Sequence, residues 1–156
     1  GEPFSYQGLH FSAREVIGRP RPVQRPIPIW IGGNSTRTLR RVATRAQGWM
    51  PLATAADISA TTRTPHLSSV ADLARRIRHL QDLAGERGPT LDVAVPYHDV
   101  TIAEPDRDVE RHRNALGELE EAGATWIVVS GTTSTPSATT EFVEAFASNY
   151  IGNTAR

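Results

Sequence analysis

Past residue 26, apolar positions along this chain switch repeatedly between a short continuous rhythm and a helical one. Residues 27–32 form an apolar run bounded by Pro26 and Gly33, which predicts a strand. Leu39, Val42, Ala43 and Ala46 then fall on one side of a helix predicted over 35–46. Residues 48–52 read as a second short strand, and 53–67 as a polar, threonine-rich loop. Ser68 or Ser69 is placed to cap a long helix with Val70, Leu73, Ala74, Ile77, Leu80 and Ala84 at helical spacing. Its polar face carries Arg75, Arg76, Arg78 and Asp82, read as solvated, and Gly88-Pro89 stops it. A third strand lies within 91–102, where Pro96 limits central pairing. Residues 106–122 predict an amphipathic helix with Val109, Leu116 and Leu119 inward and Gly123 closing it. Residues 124–130, apolar on both faces, read as a buried strand. A loop over 132–136 and a last helix over 137–149 complete the pattern.

The first 26 residues differ. Pro20, Pro22 and Pro26 exclude helix there, because proline removes donors and biases its neighbours to extended geometry. With Phe4, Tyr6 and Phe11 nearby, residues 1–26 read as an ordered, proline-rich excursion loop laid over something else, and 27–156 as the main unit.

The order β-α-β-α-β-α-β-α predicts an α/β fold with parallel strands and crossover helices, doubly wound or barrel. Four such units are half of a (β/α)8 barrel, a fold that takes about 250 residues when complete.

Composition narrows the function. The 156 residues carry seventeen basic and seventeen acidic side chains, all the basic ones arginine, without the basic excess that binding nucleic acid demands. There is no cysteine, hence no thiolate nucleophile or thiolate metal site. No apolar run suits a membrane span or a signal peptide, so a cytoplasmic location is expected. His10, His66, His79, His98 and His112 lack paired metal-ligand spacing, so no metal is expected. His79 and His112 read as surface helix positions; His98-Asp99 follows a strand, where a ligand contact is a minority reading. No Gly-x-Ser-x-Gly nucleophile elbow is present.

The run Trp30-Ile31-Gly32-Gly33-Asn34-Ser35-Thr36-Arg37 is the most chemically pointed segment. A strand passes through two glycines and a polar cap into a helix, which presents backbone N–H groups and the positive helix end to an anion. Taken alone, the segment reads equally well as an ordinary βα turn with a capped helix.

Its surroundings resemble the luciferase-like monooxygenase family, the flavin- and coenzyme F420-dependent barrel enzymes. Matching elements are the segment 4–11, Phe-Ser-Tyr-Gln-Gly-Leu-His-Phe, and the proline-rich approach through Pro22 and Pro26. Next come Pro28-Ile29-Trp30-Ile31-Gly32-Gly33-Asn34-Ser35, an Arg/Ala helix, and Ala46-Gln47-Gly48-Trp49-Met50-Pro51. The junction Glu121-Ala122-Gly123-Ala124-Thr125-Trp126-Ile127 follows near the end. The resemblance covers nearly the whole chain.

It implies the C-terminal half of a TIM barrel and an oxidoreductase acting on a small organic substrate. The reaction would be F420-dependent hydride transfer, or monooxygenation with FMN. It also implies that Gly32, Gly33, Asn34, Ser35 and Thr36 hold the cofactor phosphate, with Arg37 a charge partner. Trp49 and Met50 would line the cofactor mouth, although Trp49 reads equally as core. Gln47 departs from the aspartate usual before Gly-Trp. Catalytic residues are not assigned, because the half of the barrel that carries most of them lies outside this sequence. A half barrel exposes sheet edges and an apolar face, so a second copy or an N-terminal half is an expected partner. The alternative readings are a non-catalytic half-barrel subunit and a half barrel of an unrelated phosphate-using enzyme.

Overall fold

The computed structural model describes residues 2–53, 56–131 and 134–151. Its centre is a four-stranded parallel sheet in the order β3-β4-β5-β6: β3 (Trp30–Gly32), β4 (Gly48–Met50), β5 (Asp92–Pro96) and β6 (Trp126–Val128). Trp30 pairs with Gly48, Gly48 with Asp92, and Ala94 with Trp126. Strands that neighbour one another in sequence and run parallel require crossovers, and the helices supply them. These are α1 (Thr36–Arg45), then α2 (Ala56–Thr61) with α3 (Val70–Ala84), and α4 (Val109–Glu121). A fifth helix, α5 (Pro136–Tyr150), follows β6. The α/β reading of parallel strands in four units therefore holds.

α1 and α3 each start at a hydroxyl cap that the sequence places there. Ser35 accepts the Thr38 N–H at 3.1 Å at the head of α1, and Ser69 accepts the Asp72 N–H at 3.1 Å at the head of α3. Asp72 reaches back to the Ser68 N–H at 3.0 Å and to its hydroxyl, and the hydroxyl is the first cause holding its carboxyl below the usual range. Leu39, Val42, Ala43 and Ala46 pack with Leu73, Ile77 and Leu80 against Trp49, Val93 and Val95 of the sheet. One face of the sheet is thereby closed.

The opposite face is open, which corrects the expectation of a strand buried on both sides over 124–130. Ile127 turns toward the core, while Trp126 is 56% and Val128 45% exposed. Period-two alternation sends these two to the face that no described element covers. On that face the Trp30 and Trp126 indoles both donate to Asp92, at 3.2 and 3.1 Å. Trp30 can lean across to Asp92 only because Gly48 has no side chain. A Cβ there would stand 2.5 Å from the Trp30 ring.

Other boundaries shift for local reasons. Prolines 26 and 28 cannot donate to a ladder, so the first strand is regular only over Trp30–Gly32. The 53–67 segment contains α2, and residues 54–55 of that expected loop lie outside the described residues. So do residues 132–133 of the expected loop over 132–136. α3 ends at Ala84, and a 3-10 turn over Gly85–Thr90 carries the chain to β5. Within 4–16 the chain forms an antiparallel hairpin, β1 (Phe4–Gln7) with β2 (Ser12–Val16). Its side chains are exposed apart from a half-buried Ala13.

Candidate functional site

The turn between β3 and α1 is built as a rigid plug. Gly33 has φ +103°, a conformation that strains any residue with a Cβ. Its N–H donates to the Met50 carbonyl at 3.1 Å, and its carbonyl accepts the Trp49 indole N–H at 2.8 Å. Trp49 is fully buried, so it serves as core and as a peg for the turn rather than as a cofactor wall. Met50 is 42% exposed at the strand mouth.

Asn34 is fully buried, and its polar groups are spent on protein partners. Nδ2 donates to the carbonyls of Leu52 at 2.9 Å and Pro65 at 2.8 Å, while Oδ1 accepts the Leu52 N–H at 2.8 Å. Its own N–H donates to Thr64 Oγ1 at 2.8 Å, and its carbonyl accepts the Arg76 guanidinium at 2.5 Å. Arg76, read as solvated, is thus half-buried and fastens α3 to this turn. Sequence reasoning missed it, because its partner lies on a different element.

What remains available lies just beyond Asn34. Ser35 Oγ caps α1 and stands 2.9 Å from Thr38 Oγ1. The N–H groups of Ser35, Thr36 and Arg37 have no protein acceptor among the described residues. They sit at the positive end of a ten-residue helix, with Thr36 and Arg37 exposed. Gly32 ends β3 beside them, and a Cβ there would meet only the Met50 carbonyl at 3.8 Å. Gly32, Gly33, Asn34, Ser35 and Thr36 are therefore contiguous in space, with different duties. The free donor set is chemically that of a phosphate or carboxylate seat.

A second polar cluster lies past the end of β5. His112, expected at the surface, is fully buried on α4, an expectation the structure overturns. Its Nδ1 lies 2.7 Å from the Tyr97 hydroxyl and its Nε2 3.2 Å from Thr101 Oγ1, partners that offset the cost of burying the ring. Arg111 pairs with Asp99 and holds its carboxyl well below the usual range, helped by Thr101. Burial, and then the Asp99 charge, push the Tyr97 hydroxyl up. His98 is exposed. The cluster joins the turn after β5 to α4. Among the described residues no group of three His, Asp or Glu side chains is placed to hold a metal ion.

Residues 1–147 match the luciferase-like monooxygenase family profile. The chain belongs to that family. Among solved structures, this luciferase-like chain is similar to the coenzyme F420-dependent tetrahydromethanopterin reductase from Methanopyrus kandleri, with a TM-score of 0.56 and 18% sequence identity. The match covers 97% of this chain and 58% of the reductase, so the luciferase-like chain spans little more than half of that enzyme's length. At this identity the likeness is one of fold, and it identifies the parallel sheet with part of a luciferase-like TIM barrel. No curated protein matches the chain in sequence. No helix among the described residues is long and apolar enough to cross a membrane.

Proposed function

We propose that this chain is the phosphate-holding part of an oxidoreductase that uses coenzyme F420, with FMN as the alternative, on a small organic substrate. The observation that carries the reading is the row of free N–H groups of Ser35, Thr36 and Arg37 at the start of α1. The cofactor, when bound, supplies hydride transfer, or oxygen chemistry in the flavin case. The chain's own residues bind and orient. Ser35, Thr36 and Arg37 would donate to the phosphate, and Gly32 and Gly33 keep its approach clear. Asn34 fixes the turn from behind. A cytoplasmic location belongs to the same reading.

Fluorescence titration of F420 and of FMN against the full-length protein tests it, with Ser35→Ala and Gly33→Val as variants. Weaker binding in both is expected; unchanged affinity in both overturns the phosphate assignment.

A second reading is a non-catalytic half-barrel subunit, favoured by the open sheet face at Trp126 and Val128. Its partner would be a second copy or the N-terminal half of such a barrel. Under this reading the protein alone binds neither cofactor, and light scattering returns a mass above that of one chain. A stable, cooperatively melting monomer would count against it.

A further inference from the structure

Asp92 is a carboxylate whose charge no cation among the described residues answers. It is half-buried on an inner strand of the sheet, and each of its oxygens accepts one indole N–H. Oδ2 takes that of Trp30 at 3.2 Å and Oδ1 that of Trp126 at 3.1 Å. These donors are neutral: they fill two of about four acceptor sites and leave the charge uncompensated. Asp72, Asp99 and Asp108, by contrast, each meet an arginine. The arrangement is built rather than incidental. The indoles lean in from the two edge strands, β3 and β6, until their ring centroids are 5.7 Å apart with planes at 57°. Gly48 makes the room, since a Cβ there would also stand 2.9 Å from the Asp92 Cβ.

The charge decides what can cover this face. By period-two alternation the open side of the strands carries Met50, Ala94, Pro96 and Val128 around the cluster, and no basic side chain. A purely apolar cover would leave an unpaired charge buried. A second copy laid on about a two-fold axis brings the same face, hence a second carboxylate and no cation. A cation suits the whole cluster, because it pairs with the carboxylate and lies beside two indole rings, the best of aromatic partners for it. In a closed parallel barrel this side of the sheet turns inward against side chains of the remaining strands, and the match above spans only 58% of the reductase. We infer that the open face docks against further barrel strands, outside residues 1–156, that seat a cationic side chain on Asp92 between Trp30 and Trp126. The inference rests on the half-barrel reading of the fold and names the charged group that the covering strands bring. Arginine fits the seat best, since its planar fork takes both carboxylate oxygens and its flat face stacks on an indole.

The test is a crystal structure of the full-length protein, joined to a double-mutant cycle. The structure should place a guanidinium or ammonium nitrogen about 3 Å from the Asp92 carboxylate, borne by a strand outside these residues. Asp92→Asn, and methionine in place of that cation, should each raise the unfolding constant about a hundredfold or more, because each leaves its partner buried alone. The double variant should be no less stable than the worse single one, and the coupling should survive raised salt. Barrel strands that meet Asp92 with neutral side chains only, or single losses that simply add, overturn the inference and leave the half-barrel reading standing. A second copy or bare solvent over the sheet overturns both. Where a variant fails to fold, the contact made by the wild type decides.

Discussion

Asn34 grips Leu52 by both of its backbone groups, Nδ2 donating to the carbonyl at 2.9 Å and Oδ1 accepting the N–H at 2.8 Å. One side chain thereby takes the place of a strand partner and fixes the chain leaving β4 against the turn leaving β3. Removing it strands the Leu52 and Pro65 groups in a buried setting. Asn34→Ala should therefore cost about 2–4 kcal/mol, and Asn34→Asp a similar amount, because a carboxylate cannot donate to two carbonyls. Urea denaturation of both variants checks this.

The two glycines of the turn should separate cleanly. Gly33→Ala forces a Cβ into φ +103° and is expected to destabilise by about 1–3 kcal/mol. Gly32→Ala meets only a carbonyl at 3.8 Å and should melt close to the wild type. Thermal melts that rank the pair the other way would contradict the geometry described.

Ser35 has a cap role and a ligand role that one substitution can divide. Ser35→Ala loses the bond to the Thr38 N–H and should cost about 1 kcal/mol. Ser35→Asp keeps an acceptor at the helix head and should hold stability nearer the wild type. Its charge would repel a phosphate, so cofactor affinity should drop further than in Ser35→Ala. Paired denaturation and titration curves read the two effects.

Acid should weaken the junction between β5 and α4. The folded carboxyl of Asp99 is held below its ordinary value, first by the Arg111 hydrogen bond and then by Thr101. Its contribution is therefore fully present above the ordinary aspartate range near pH 4, and is lost as pH falls below it. Asp99→Asn should be less stable than the wild type at neutral pH and should flatten the stability slope in acid. Denaturant midpoints across an acidic pH series measure that slope.

What the sequence discloses is what is decided within a few residues. The caps at Ser35 and Ser69 lie three positions from the N–H groups they accept, and the apolar stripe of α1 is visible at helical spacing. The burial of His112 is decided by Tyr97 and Thr101, fifteen and eleven residues away, and the link from Arg76 to Asn34 spans forty-two. No local pattern announces these. The 124–130 run reads as apolar on both faces, yet only the position of β6 in the sheet determines which of its side chains finds a cover. Within the site, the Gly-Gly-Asn-Ser order marks the right place. It does not distinguish Asn34, turned inward, from Ser35, left at the rim.

The chain's tryptophans divide between the two sides of the sheet. Trp49 is sealed beneath the turn and bound to Gly33, while Trp30 and Trp126 share Asp92 on the open face. Soluble quenchers therefore separate two emitting populations. The shielded one reports on the anion turn, and the accessible one on whatever comes to lie against the sheet. The protein carries its own pair of optical gauges, one for each event, without an added label.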